Sequence, residues 1–521
     1  MRTRFTLSLL FLGLIWLGSA VAAHATHILG GDLTYESVPT GTDYRKYYVK
    51  ARLYREYTNT NVDFAPQIQL SVTKDGCSLS TASSFKAPLT RTSTTTLSPT
   101  GCASGFTYRL DIFEGEITLE RGRWLLSINE ENRTDGMRNI VESVTKAFHL
   151  EAYLDNTSLL LNNSPKFTSN TLPYLCGNQA HRYSFSTFDV DGDSLAYESV
   201  QPQAPVQATT DPCGVGVAYS SYATGSFVDP VTGEIGSYPA GTYSAASPLL
   251  SFQATGGTTR PYFQLNPATG ELLAQPVLLP NGPFVVAVRV NEFRKLAGTW
   301  TKIGSVMRDV IYTVFNGRGN RNPTLSSLQI GASSTPQSPN HPIAVTAGQT
   351  ISLTLSATDP DGYQTTSISS DVAATIPGTS FQSLGNNQGR LTWQVPATLK
   401  SGRYCCTFTV SDDAGCPYNG SEVRTITFLV SGATLTTKNS QPLTLAAFPM
   451  PFHDQVQFQL SARKTQPVVI SDELGRVVAQ LGSRPDGLVI WQPDTTVPAG
   501  LYFARSADGQ QVARLLRTGA Q

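Results

Sequence analysis

Three aspartates fall within five residues in FDVDGDSLAYES, at Asp189, Asp191 and Asp193, with Gly192 between the second and third. Alternate residues of an extended chain share a side. Three such carboxylates with a backbone carbonyl would begin the six- to eight-oxygen shell of calcium. The helix–loop–helix form of that site is excluded. Counted from Asp189, position 6 is Ser194 and position 12 is Val200, where glycine and glutamate are required. A second copy, ATDPDGYQTT, keeps Asp359, Asp361 and Gly362 but carries Tyr363 in place of the third aspartate. What the copies share is an Asp-x-Asp-Gly turn, with Asp-Gly reversing the chain and the outer carboxylates capping amides. Two readings therefore stand: calcium at Asp189, Asp191 and Asp193, and with fewer oxygens at Asp359 and Asp361, or turn-making alone.

Catalytic chemistry is sparse. His27, His149, His181, His341 and His453 are scattered, and no H-E-x-x-H, G-x-S-x-G or phosphate-binding glycine loop occurs. His149 alternates with Phe148 and Leu150, which predicts a solvent-facing or hydrogen-bonded structural ring. INEENRTDG gathers Glu130, Glu131 and Asp135. A carboxylate pair serves glycoside hydrolysis, whereas adjacent glutamates at a turn make a solvated acidic loop. In YRKYYVKARLYREY, Tyr48 and Tyr54 with Lys50 and Arg52 form either an exposed ligand face or cross-strand pairs on an open sheet. No catalytic residue is assigned, and the expected class is non-enzymatic. The alternative is a secreted carbohydrate-active or proteolytic enzyme.

The elements that would position these residues are strands. Only 15% of the 521 residues are charged, with 38 basic against 38 acidic, while Gly (43) and Pro (32) abound. Balanced charge gives no reason to expect a nucleic-acid partner, and turn-rich composition predicts an all-β chain. In KYYVKARLYREY, Tyr47, Val49, Ala51 and Leu53 alternate with polar neighbours, the period of a strand with one buried face. DPVTGEI and NPATGEL are hairpin turns in which glycine takes a positive φ.

Residues 1–25 carry Arg2 and Arg4, an apolar run from Phe5 to Gly18, and A-x-A patterns after it, the form of a cleaved secretory signal. No later segment is long and apolar enough for a spanning helix, which predicts a chain that is secreted or attached at a cell surface. Export permits disulfides. The local pairings are Cys77 with Cys102 and Cys176 with Cys213, with Cys416 joined to Cys406 or to Cys405. Adjacent Cys405 and Cys406 point to opposite faces of a strand, so at most one meets the partner.

Domain breaks follow composition. A β domain is expected at 26–157, and a β-sandwich with an insertion at 158–318. A second sandwich covers 319–431, a polar linker 432–444, and a small final unit 445–521. The two middle segments are an internal repeat. Gly270, Pro276, Gly282 and Phe284 match Gly389, Pro396, Gly402 and Tyr404, with one residue of slippage. Each copy opens on an asparagine–proline segment, NNSPKF at Asn162 and NRNPTL at Asn320, and each carries the aspartate turn. The pattern predicts tandem Ig-like sandwiches.

The final unit resembles the C-terminal sorting domain of type IX secretion cargo. Its residues are Phe448, Pro449, Pro451 and Phe452; Asp472, Gly475 and Arg476; and Gly500, Leu501 and Tyr502. Met450 stands where asparagine is usual between the two prolines. The resemblance implies that this unit engages the type IX machinery for passage through the outer membrane. In that family it is often cleaved as the protein is attached or released. ATHILGGDLTYE, FHLEAYLDN, FDVDGDSLAYES and GSVMRDVIYTV resemble, in the same order, segments of large surface proteins of gliding bacteria. Those proteins carry PKD-like or cadherin-like Ig-fold repeats, and cadherin-like domains place aspartates in comparable contexts at domain junctions. This resemblance implies cell-surface location. The repeated Ig-like units and the missing catalytic motifs point to adhesive or structural display there, with a surface polysaccharide or protein as the candidate ligand. A passive surface-layer component is the remaining alternative.

Overall fold

The computed structural model describes residues 27–39, 45–57, 65–77, 83–98, 107–158, 161–206, 211–277, 281–415, 418–432, 443–461, 464–473, 475–506, 509 and 511–519. The expected leader, residues 433–442 of the expected linker, Cys102 and Cys416 lie outside them. The chain forms two units, Met1–Ala433 and Thr434–Gln521. Both are built from strands. Among the described residues, helical turns occur only at Ser143–Thr145 and Val372–Thr375.

One strand organises the front unit. Thr299–Phe315 pairs along one edge with Gly282–Leu296. Along the other edge it meets three partners in succession. Gly304 lies opposite Leu154 of Phe148–Asp155, Arg308 opposite Asp32 of Ile28–Ser37, and Thr313 opposite Tyr174 of the parallel strand Tyr174–Cys176. Ile28–Ser37 and Phe148–Asp155 are also the two ends of a continuous strand order. Between them run Lys46–Glu56, Tyr108–Thr118, Phe85–Leu97, Gln67–Lys74 and Arg123–Glu130. Joint pairing with Thr299–Phe315 therefore closes this run of strands on itself and covers the edges that Ile28–Ser37 and Phe148–Asp155 would otherwise leave open. The close approach depends on Gly30, whose φ is +147°. A Cβ there would stand 2.3 Å from the Asp309 carbonyl oxygen and 2.6 Å from Val310 Cα. Segments 26–157 and 158–318 thus share one 13-stranded sheet.

Within that sheet Tyr47, Val49, Ala51 and Leu53 are buried, as their alternation predicts. The other face of the same strand differs from the exposed ligand face considered above. Tyr54 is 0% exposed and Arg52 is buried. The reason is a second layer. Arg52 donates to the Phe167 carbonyl at 3.3 Å and to Asn170 Oδ1 at 2.6 Å, so the segment after residue 165 covers this face. Charge is compensated inside: Arg52 pairs with Asp32 at 2.8 Å, and Arg133 with Asp309 at 2.7 Å. Arg308 reaches the Tyr54 hydroxyl at 2.7 Å. Buried charges require such partners, because an unpaired one carries a large desolvation penalty.

The repeat at 319–431 is a two-sheet sandwich. Thr324–Ile330, Thr350–Thr358, Gln388–Gln394 and Thr379–Gly385 form one sheet. Ile343–Thr346, Ser421–Ser431, Gly402–Asp412 and Thr366–Ser369 form the other. Trp393, Phe408 and Leu353 fill the space between. Tyr404 donates its hydroxyl to the Lys400 carbonyl at 2.8 Å, the tyrosine corner that braces a strand start in Ig sandwiches.

The final unit repeats this device, Tyr502 donating to the Pro498 carbonyl at 2.6 Å. A five-stranded and a three-stranded sheet enclose its own core, which includes Phe452, Trp491 and Tyr502. The fold is all-β, with Ig-like sandwich units in tandem.

The cysteine pairing is corrected. Cys77 bonds to Cys213, 136 residues away, with Cα atoms 5.1 Å apart. That replaces both Cys77–Cys102 and Cys176–Cys213. The pairing strand Gly214–Gly216 extends the sheet beyond Phe148–Asp155, which carries Cys213 toward the end of Gln67–Lys74. Cys176, Cys405 and Cys406 are buried thiols. Burial pushes the Cys405 thiol up to about 11 and that of Cys176 up to about 12, so both stay protonated and inert.

Candidate functional site

The first aspartate turn is assembled by strand register. Thr187–Phe188 leads into it, Gly192 turns with φ +72°, and Ser194–Val200 leaves paired to Gly282–Leu296. Ser194 opposite Phe293 sets Glu292 and Arg294 against the turn. Asp189 Oδ1 accepts the Asp193 amide at 3.2 Å. Asp191 Oδ2 accepts the backbone amide of Asn163 at 2.7 Å. Arg294 donates Nε to Asp193 Oδ1 at 2.6 Å and Nη2 to Asp193 Oδ2. The same guanidinium reaches the Leu161 carbonyl and Asn162 Oδ1, each at 2.8 Å. Asn162 in turn donates to Glu292 Oε2 at 2.7 Å.

Burial pushes Asp189 up to about 6, with the neighbouring Asp193 charge adding to the shift. Burial, then the Asp189 charge, holds Glu292 well above the usual carboxylate range. Two buried carboxyls against each other retain a proton between them. Burial alone would lower Arg294, but the Asp193 hydrogen bond and charge raise it, so the guanidinium stays charged.

The second turn is wired the same way. Asp361 Oδ2 accepts the backbone amide of Arg321 at 2.8 Å, and Arg321 Nε donates to Asp361 Oδ1 at 2.8 Å. Asp359 Oδ1 accepts the Asp361 amide at 2.6 Å. Asn320 donates to Asp412 Oδ2 at 2.9 Å, as Asn162 does to Glu292. Burial pushes Asp412 up to about 6. Each copy thus ties its asparagine–proline segment to its aspartate turn, and each turn is clamped by an arginine. Glu292, Arg294, Arg321 and Asp412 were missed by sequence reading. Their one legible signal was the repeated asparagine, whose partners lie 92 to 130 residues away.

For calcium, two observations oppose each other. Asp189, Asp191 and Asp193 each offer an oxygen within 4.8 Å of the others, the one such grouping among the described residues. Asp189 is buried against Glu292, and the two carboxyls share the retained proton. Arg294, however, already neutralises Asp193 and approaches Asp191 at 3.5 Å. The donor set fits calcium only with that guanidinium withdrawn. At the second turn Arg321 covers Asp361 in the same manner.

The remaining sequence candidates separate. His149 is buried, not solvent-facing, and is bonded through Nδ1 to Asn129 Oδ1 at 2.6 Å, a structural contact within the sheet. Asp135 accepts the Gly136 amide at 2.7 Å, a turn contact. Burial, then Glu131, pushes Glu130 up to about 7. In the final unit Phe452 and Tyr502 are core residues, at 1% and 2% exposure. Phe448 is 73% exposed, and Pro449 and Pro451 are exposed with it. Asp472 pairs with Arg476 at 2.7 Å across Gly475, whose φ is +81°, and Gly500 opens the strand that holds Tyr502. Met450 Sδ accepts the Leu516 amide at 3.0 Å.

No family model matches the chain, and no curated protein matches it. Among solved structures, the N-terminal four Ig domains of Dscam1 isoform 6.9 align with a TM-score of 0.18 and 10% identity, over 95% of this chain and 100% of that one. The I9–I11 tandem of titin aligns at 0.13 and 8%, over 68% and 98%. The ectodomain of the teleost fish polymeric Ig receptor aligns at 0.12 and 11%, over 34% and 97%. Superpositions this loose carry no argument, so the fold assignment rests on strand pairing. No helix among the described residues is long and apolar enough to cross a membrane.

Proposed function

We propose that this chain is a non-catalytic display protein of a cell surface or its surroundings. In this reading the front unit is the displayed body, and the final unit is the sorting domain read by type IX secretion machinery. The observation that supports it is the separate construction of Thr434–Gln521. This unit closes its own core, and it carries the sorting-motif residues named above, with Met450 as the one departure. A sorting signal that travels as a folded module needs such autonomy. The test is delivery in a bacterium that has this secretion route. A chain truncated before residue 443 should accumulate in the periplasm, with its front unit intact by limited proteolysis. Unchanged surface or medium delivery of the truncated chain would sink the proposal.

Calcium at Asp189, Asp191 and Asp193 is the accompanying proposal. It is supported by the convergence of Asp189, Asp191 and Asp193, which each offer an oxygen within 4.8 Å of the others. Bound there, the ion would supply positive charge between the turn and the segment from Asn162. These residues would hold it by their carboxylates, with Arg294 displaced.

A further inference from the structure

Gly282–Leu296 and Thr299–Phe315 form a hairpin that turns on Ala297 and Gly298, at φ 47° and 89°, the left-handed pair of a two-residue turn. Trp300 follows immediately, opposite Lys295, and is 61% exposed. The other described tryptophans, Trp124, Trp393 and Trp491, are core residues. One exposed apolar side chain is ordinary on a protein surface. Trp300 differs in what it lines.

It forms one wall of a cleft of about 330 Å³, a volume at the small end of ligand sites. The opposite walls come from the turn after Asp189 and from the start of Gly402–Asp412, and they present Ser194, Ser401 and Arg403. Charge decides what suits this space. Asp193 is the one carboxylate lining the cleft, and Arg294 already neutralises it. Arg403 is exposed, its guanidinium making a 3.5 Å contact with the Ala268 carbonyl. The cleft therefore offers an aromatic face, two hydroxyls and one uncompensated cation.

We infer that this cleft binds a hexuronate residue of an acidic polysaccharide. The pyranose C–H face lies on the Trp300 indole, the sugar hydroxyls meet Ser194 and Ser401, and the carboxylate pairs with Arg403. An indole is a broad, polarisable platform for such a ring face. A guanidinium matches a carboxylate in a two-point fork. The inference deepens the display reading and rests on it, since a displayed body is what meets surface polymers.

The test is affinity electrophoresis of the purified full chain through gels containing polygalacturonate or dextran. The wild type should be retarded by polygalacturonate and not by dextran, with retardation weakening as salt screens the Arg403 pair. Trp300→Ala and Arg403→Gln should each weaken the apparent affinity about tenfold, while melting with the wild type because both side chains face solvent. No retardation of the wild type, equal retardation by dextran, or unchanged binding by Trp300→Ala would each overturn the assignment. The assay uses purified protein, so its failure leaves the delivery proposal standing; failed sorting in cells would not alter binding in the gel.

Discussion

Arg294 grips Asp193 with both arms of its guanidinium, Nε on Oδ1 at 2.6 Å and Nη2 on Oδ2, and the Asp193 side chain is 3% exposed. A cation supplied by the chain therefore stands where the three aspartates converge. Arg294→Gln removes it and leaves Asp191 and Asp193 facing Asp189 and Glu292. Breaking a buried pair costs about 3–5 kcal/mol, and chemical denaturation in a chelator should report a loss of that order. Added calcium should then stabilise the variant more than the wild type. If calcium moves the melting temperature of neither protein, the metal proposal fails.

The two aspartate turns give the front unit an unusual pH profile. Asp189 and Asp412 titrate near 6, and Glu292 is also raised, all chiefly through burial. A carboxyl raised above its unfolded value binds its proton more tightly when folded. Its contribution is fully present below the unfolded value and is lost as pH rises through the folded one. Glu151 and Asp155 are lowered despite burial, by partners such as His149, Arg289 and Thr157. Their contribution has the opposite sign and is lost at lower pH. Thermal stability should therefore decline from roughly pH 4 to pH 7. Asp189→Asn keeps the Oδ1 acceptor and removes one titration, so its decline should be shallower. Parallel profiles for the two proteins would contradict this.

The Cys77–Cys213 bond closes a loop of 136 residues and ties the end of Gln67–Lys74 to the strand beyond Phe148–Asp155. Long loops restrict the unfolded chain most. Replacing both cysteines by serine should lower stability by about 2–4 kcal/mol in guanidinium titrations. Peptide mapping without reductant should recover Cys77 joined to Cys213. A Cys77–Cys102 peptide as the main product would contradict the pairing.

In the final unit the motif residues divide by exposure, and their substitutions should divide by effect. Phe452→Ala and Tyr502→Ala empty core positions and should destabilise the unit by about 3–5 kcal/mol. Phe448→Ala removes a side chain that is 73% exposed and should leave the melting temperature nearly unchanged. If exposed Phe448 is read by the secretion machinery, its substitution should block delivery of a stably folded chain. Normal delivery of Phe448→Ala would assign the recognition to other residues.

The all-β class, the hairpin turns and the repeated aspartate turn were legible in the sequence, because each depends on near neighbours. Gly233 and Gly270 take φ +73° and +72°, as DPVTGEI and NPATGEL predict, and Asp229 and Asn266 add caps on the amides two residues on. Tyr47, Val49, Ala51 and Leu53 face inward because alternation alone assigns a strand's inner side.

Only the tertiary structure decided what covers the other side. Arg52 and Tyr54 are buried because a segment more than 100 residues away lies over them. GSVMRDVIYTV, ILGGDLTYE and FHLEAYLD meet because one strand pairs with both ends of a sheet. Arg294 reaches Asp193, and Cys77 reaches Cys213, through strand registers set across the whole unit. Local residue pattern carries a strand's period and its turns. Which strand lies beside which is decided by the burial of entire sheet faces, and that choice leaves no mark in any one segment.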